Sequence, residues 1–186
     1  KKAALIIELD GFETEIDIQK DIIINILKNC NCSKIEISKN EADAQRIWNA
    51  RRSSMVTCAK LKPDITTDDV IVPRENLPEL VSGIQNICEK YNLFVCMVGH
   101  VGDGSVHPQI PLDLSNEIEY KNYKNAKKEI YDLTIKLGGT LSGEHGIGLE
   151  KREYFSNVID RFALEYMKKI KKVFDPKNIL NPDKIW

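Results

Sequence analysis

The chain has 186 residues, of which 30% are charged and 42% hydrophobic, and its formal net charge is -1 at pH 7. That length suffices for one well-cored domain or for a domain with an appendage. The near balance of 27 basic and 28 acidic residues excludes a general nucleic-acid surface, and no apolar run reaches the roughly 18–20 residues of a membrane-spanning helix.

Lys2–Leu9 is an apolar run bounded by the turn signal Asp10-Gly11, and it reads as a buried strand. Glu15–Lys28 carries Ile16, Ile22, Ile23, Ile26 and Leu27 at helical spacing, with acids near its start and Lys28 near its end, as the helix dipole favours. Lys34–Ile37 alternates as a short strand. Asn40 is placed as an N-cap, and Glu41–Val56 follows as a helix with Trp48 and Arg51 on one side. Cys58–Thr67 reads as a polar loop, and Asp69–Val72 as a short strand stopped by Pro73.

Leu77–Tyr91 is an amphipathic helix with Leu80, Ile84, Ile87 and Cys88 inward. Leu93–Gly99 and Ser105–Ile110 are strands on either side of a Gly-Asp-Gly turn. Ile118–Leu137 is a long charged helix ended by Gly138-Gly139, a glycine C-cap. Asn157–Phe174 reads as one further helix, and the tail carries Ile179, Leu180, Ile185 and Trp186 as apolar clips. The order of elements predicts an α+β fold: a ferredoxin-like sandwich with a mostly antiparallel sheet, a C-terminal helical segment and an extended tail. Helices on one face only leave the other face for a partner or a polar site.

All three histidines of the chain fall in two glycine-rich stretches, HVGDGSVH from His100 to His107 and GGTLSGEHGIG from Gly138 to Gly148. A tight turn at Gly102–Gly104 lets residues on either side of it face one point. Two imidazoles with a carboxylate, Glu144, form a donor set for zinc, iron and related divalent ions that leaves coordination positions open. The same pattern also fits turn glycines with ordinary polar neighbours, since H-x6-H is not a compact helical metal motif. The pair Arg51 and Arg52 fits either a solvated helix face or a fork onto a substrate carboxylate. Lys151 and Arg152 read as surface. Five cysteines at irregular spacing, with no four-ligand pattern, read as reduced thiols of an intracellular, cytoplasmic protein.

The two glycine-rich stretches, the tail FDPKNILNPDK (Phe174–Lys184), Trp48–Arg51 and DVIVP (Asp69–Pro73) together resemble the C-terminal domain of the FAD-linked oxidases. That family includes the flavin-bearing chain of glycolate oxidase, D-lactate dehydrogenase and D-2-hydroxyglutarate dehydrogenase. The resemblance runs nearly end to end. It implies a ferredoxin-like substrate-binding cap over residues 1–137, and a C-terminal segment over 138–186 that packs back on an N-terminal FAD-binding domain. The opening on Lys1 rather than Met agrees with a chain that is cap and tail only.

The resemblance further implies that His100, His107 and Glu144 ligate a divalent metal, zinc in the zinc-dependent members. It makes His145 the proton acceptor, Arg51 and Gln109 substrate-binding residues, and Asn181 part of a flavin-contacting turn. The implied partners are a small 2-hydroxy acid, the N-terminal FAD domain, and an electron acceptor such as an iron–sulfur subunit, an electron-transfer flavoprotein or a quinone. Ser105 stands where the family usually has asparagine after Gly-Asp-Gly. Gln109 stands where some members have asparagine, and Met55 where 2-hydroxyglutarate enzymes have threonine. These departures point away from 2-hydroxyglutarate and leave glycolate, lactate or another 2-hydroxy acid open. Two readings of other classes stand beside the oxidase: a non-catalytic docking domain, and a metallohydrolase, which needs no flavin.

Overall fold

A computed structural model describes residues 3–186 of the chain. The chain divides into two compact units, Lys1–Met55 and Val56–Trp186. The boundary read from the sequence at Leu137 falls inside the second unit.

The first unit carries α1 (Glu13–Asn29) and α2 (Glu41–Arg52). Acids in the first turn of α1 and Lys28 in its last follow the dipole. Asn40 caps α2 as expected: its Oδ1 accepts the Asp43 N–H at 2.9 Å, and Asp43 Oδ2 in turn accepts the Lys39 N–H at 3.2 Å. The helix predicted to run to Val56 stops at Arg52, and a short α3 (Ser54–Cys58) follows. Two serine hydroxyls explain the break: Ser53 Oγ donates to the Ala50 carbonyl at 3.2 Å and Ser54 Oγ to the Arg51 carbonyl at 2.8 Å, competing with helix continuation.

The strands expected over Lys2–Leu9 and Lys34–Ile37 are not formed; Lys2 lies outside the described residues, and from Ala3 onward both runs are irregular. Leu5, Ile7 and Ile37 are exposed. Apolar composition and alternation favour a strand, but a strand also needs a ladder partner, and no pairing is found for either run among the described residues.

The second unit is an α+β sandwich. Its sheet comprises β1 (Asp64–Thr67), β2 (Val70–Ile71), β3 (Cys96–His100) and β4 (Ser105–Leu112), all antiparallel and all paired to β4. β1 and β2 lie in succession along one edge of β4, and β3 takes the other edge. β1 was read from sequence as loop; its Asp-Ile-Thr-Thr is β-branched enough to form a strand once Gln109–Leu112 offers a partner. The two edge strands keep one register, and the gap between them faces Pro108, which has no N–H to give. The Asp68 N–H still donates to the Pro108 carbonyl at 3.1 Å.

Side chains alternate across β4. Val106 and Ile110 join the core formed with Val70, Val72, Leu80, Ile84, Ala126, Ile130 and Tyr131. The helices supplying that core are α4 (Leu77–Lys90) and α5 (Glu117–Lys136). Ser105, His107 and Gln109 point to the opposite face, and all three are buried. α5 ends as predicted: Gly138 takes a left-handed φ of 75°, and the N–H groups of Gly138 and Gly139 bond the carbonyls of Ile135 and Thr134 at 2.9 Å.

The helix expected over Asn157–Phe174 is two helices, α6 (Arg152–Val158) and α7 (Arg161–Phe174). Asp160 interrupts it by capping α7, its Oδ1 accepting the Ala163 N–H at 3.0 Å. The apolar stripe of α7, Phe162, Tyr166, Ile170 and Phe174, lies open rather than packed, with Phe174 80% exposed. In the tail, Asp175 accepts the Ile179 and Leu180 N–H groups at 2.8 and 2.9 Å, and the Ile185 N–H reaches the Gly148 carbonyl at 2.9 Å. Among the described residues no helix is long and apolar enough to cross a membrane.

Candidate metal centre

β3 and β4 bring the first two histidines to one face. Val98 lies opposite His107 and His100 opposite Ser105, so His100 and His107 are diagonal neighbours on the same side of the sheet. The turn between the strands is a 3-10 turn, Val101–Asp103, closed by Gly104 at φ 74°. A Cβ at Gly104 would sit 2.1 Å from the Val72 carbonyl oxygen, so the turn admits glycine on both conformational and steric grounds.

The third and fourth groups arrive from the segment after α5. Thr140 and Ile71 exchange backbone hydrogen bonds at 2.9 and 3.2 Å, which returns the chain to the sheet edge. The next residues wrap around Asp69. Its Oδ2 accepts from Ser142 Oγ at 2.9 Å and from the N–H groups of Gly143, Glu144 and His145 at 2.8, 2.8 and 2.9 Å. Asp69 is fully buried. Burial by itself would raise its carboxyl, but the N–H groups of His145 and Glu144, the Ser142 hydroxyl and the Gly143 N–H hold it down to about 2.

A stability consequence follows. The carboxyl is depressed from its ordinary 3.8, so the stability it contributes is complete above about pH 4 and is lost as pH falls through about 2. Urea unfolding of the chelator-treated chain should lose on the order of 2 kcal/mol from this one group between those limits. A stability flat across that window would contradict it.

Behind Asp69 lies a second buried network. Lys151, 4% exposed, donates from Nζ to the carbonyls of Asp69 at 3.0 Å and Leu141 at 2.6 Å, and pairs with Asp68 Oδ1 at 3.0 Å. Tyr131 Oη donates to Asp68 Oδ2 at 2.6 Å, and Lys127 Nζ lies 3.6 Å from the same oxygen. Burial would push the Asp68 carboxyl up, yet Lys127 and Lys151 keep it below its ordinary value. Lys151 is thus no surface residue, contrary to the expectation from sequence; it joins the edge strand to the segment bearing Glu144.

The site itself forms where these elements meet. Among the described residues, His100, His107 and Glu144 offer ligand atoms that all lie within 4.8 Å of one another. Glu144 Oε1 is 2.9 Å from His107 Nε2, 4.0 Å from His100 Nε2 and 3.9 Å from His145 Nε2. The His100 and His107 rings meet edge to face at 5.6 Å, and the His107 and His145 rings stack at 5.1 Å with 17° between planes. His107 is buried, while His100, Glu144 and His145 are about half exposed, so the group opens on one side. Burial lowers the His107 imidazole, against the opposing pull of Asp69 and Glu144, which favours the neutral, ligating form. Bonds of about 2 Å from nitrogen and oxygen to a zinc-like ion place donors roughly 3–4 Å apart, and this donor set fits that requirement with only side-chain adjustment.

The other residues singled out from sequence are placed as follows. Gln109 is buried on the same sheet face, two residues from His107, with its Oε1 unpaired; Thr67, opposite it on β1, has an unpaired buried Oγ1. Arg51 lies in the last turn of α2, in the first unit. Asn181 is an exposed tail residue at φ 44°, a left-handed position that asparagine tolerates. Sequence reasoning gave no role to Asp68, Asp69, Lys127 or Lys151. The tandem Asp68-Asp69 within an alternating stretch did carry a signal, since alternation sends one carboxylate to each face of the sheet.

The α+β unit thus carries a two-histidine, one-carboxylate group that could hold a metal ion, with a third histidine beside it. Comparison with known proteins then gives the family. Residues 1–185 match the family of FAD linked oxidases, C-terminal domain, and the chain belongs to it. It is 39% identical over its whole length to a glycolate oxidase subunit GlcD of Bacillus subtilis, covering 39% of that protein. It is 29% identical over 97% of its length to a mitochondrial D-lactate dehydrogenase [cytochrome] of Arabidopsis thaliana, covering 32% of it. It is 38% identical over 67% of its length to a D-2-hydroxyglutarate dehydrogenase of Haemophilus influenzae, covering 12% of it. The chain therefore spans well under half the length of these curated relatives.

Proposed function

We propose that this chain is the substrate- and metal-binding C-terminal part of an FAD-dependent 2-hydroxy acid dehydrogenase or oxidase of the glycolate oxidase or D-lactate dehydrogenase kind. The observation that carries the reading is the convergence of His100, His107 and Glu144, from two strands and a distant loop, on one open point beside His145. In this reading residues 1–137 form the cap, and 138–186 return to an N-terminal FAD-binding domain. The open apolar stripe of α7 supports that return, since such a stripe is the kind of surface a partner domain covers.

When bound, a divalent metal such as zinc supplies Lewis acidity toward a substrate oxygen, and the flavin supplies the two-electron acceptor. The rest falls to the chain's own residues. Oxidation of a 2-hydroxy acid to the 2-oxo acid removes one proton from the hydroxyl and one hydride from the adjoining carbon. His145, half exposed at the edge of the ligand group, takes the proton on its imidazole. His100, His107 and Glu144 hold the ion. Arg51 forks onto the substrate carboxylate, and Gln109 lines the substrate side of the sheet face. Asn181 contributes a turn toward the flavin. An iron–sulfur subunit or an electron-transfer flavoprotein receives the electrons in the cytoplasm.

The test uses the protein with its flavin domain. Anaerobic addition of glycolate or D-lactate should bleach the flavin absorbance, and a zinc-chelated sample should bleach far more slowly. A flavin that stays oxidised with every short 2-hydroxy acid, in a protein that hydrolyses esters or amides, would replace the oxidase reading with the metallohydrolase.

A further inference from the structure

Two buried polar atoms beside the ligand group lack hydrogen-bond partners. They are His107 Nδ1 and Asp69 Oδ1, and they lie 3.9 Å apart. The register of the two edge strands, carried across the gap at Pro108, places Asp69 directly opposite His107 on the same sheet face. The other carboxylate oxygen of Asp69 is saturated by four donors from Ser142 to His145. One side chain thus touches both the strand that bears His107 and the loop that bears Glu144 and His145.

We infer that Asp69 is a positioning residue for the metal centre: Oδ2 fixes the backbone of Glu144 and His145, while Oδ1 receives the Nδ1–H of His107. A side-chain shift of about 0.7–1 Å brings the two orphaned atoms from 3.9 Å into hydrogen-bond range. Only an acceptor faces Nδ1: it is the second oxygen of a carboxylate whose first oxygen already takes four donors. The carbonyl of Asp68 also faces the imidazole and adds a second acceptor. In the metal-free chain Glu144 Oε1, 2.9 Å from Nε2, competes for the ring proton; once an ion occupies Nε2 or Glu144 is removed, the neutral ring carries its proton on Nδ1 and leaves the Nε2 lone pair to the ion. Metal-ligating histidines generally have such a partner on the far nitrogen, and its removal costs about 10–100-fold in metal affinity. The inference rests on the metal-binding reading above for its functional meaning but not for its geometry.

The experiment has two arms. The first is independent of metal. In the metal-free Glu144→Ala chain no carboxylate competes at Nε2, and nitrogen-15 NMR of the histidines at a pH where imidazole is neutral should find His107 protonated on Nδ1. Adding Asp69→Asn keeps an oxygen for the four loop donors and turns an NH2 toward Nδ1. The proton should then move largely to Nε2. Finding Nε2–H in Glu144→Ala, or the same tautomer with and without Asp69→Asn, overturns the inference. If the double variant does not fold, Nε2–H in Glu144→Ala still overturns the inference, and the zinc titration of Asp69→Asn alone separates Asp69 from the Asp68 carbonyl as the acceptor.

The second arm titrates zinc into wild type and Asp69→Asn, with an expected loss of about 10–100-fold in affinity. Equal affinities overturn the role of Asp69. A wild type that binds no zinc, with Nδ1–H still found, overturns the metal reading while the tautomer result upholds the positioning of His107 by Asp69.

Discussion

Replacing Lys151 by alanine should destabilise the second unit by about 3–5 kcal/mol, the usual consequence of breaking a buried, hydrogen-bonded ion pair from one side. The ammonium is almost wholly enclosed and satisfies three acceptors at once, the carbonyls of Asp69 and Leu141 and the Asp68 carboxylate. Truncation leaves two buried carbonyls without a donor, and unmet acceptors of that kind cost about 1–3 kcal/mol each. Asp68 retains Lys127 and Tyr131, which bounds the loss from above. Lys127→Met should cost less, because Lys127 meets its carboxylates only at 3.5–3.6 Å. Chemical unfolding with a cooperative baseline measures both. A Lys151→Ala chain within about 1 kcal/mol of wild type would mean that solvent reaches this lysine more freely than its burial indicates.

Replacing His145 by alanine in the flavin-containing protein should lower turnover by about 10²-fold or more with zinc content unchanged. Its ring stacks on His107, and its backbone N–H is held by Asp69, so its position is set independently of the ion. Loss of a general base removes an interaction formed in the transition state, so kcat should fall while the substrate's KM changes little. Turnover within a few-fold of wild type would take the base role from His145. A parallel loss of zinc would make it a ligand instead.

Much of the second unit was legible in the chain. Helices α4 and α5 follow from apolar spacing, the end of α5 from Gly138-Gly139, and the β3–β4 hairpin from two apolar runs around Gly-Asp-Gly. The convergence of His100, His107 and Glu144 was also legible, because histidines are scarce and glycines flank them. What remained hidden had physical reasons. Lys151 sits in the charged string Glu150-Lys151-Arg152-Glu153, where nothing local marks one lysine as enclosed; that depends on Asp68, some eighty residues earlier. The N-terminal isoleucine runs have strand composition but no ladder, a property of pairing rather than of sequence. The break before α7 was masked because Val158 and Phe162 keep the helical spacing across Asp160.

The shared register along β4 has a consequence for how this centre tolerates change. Every strand-borne group in it lies on one side of a ladder whose alternation has a period of two residues. Deleting a single residue between Val101 and Gly104 would slide β3 by one position and turn His100 toward the helices, at one stroke exchanging a ligand for Gly99. Length in that short connection is therefore under tighter constraint than the identity of any one exposed side chain in it.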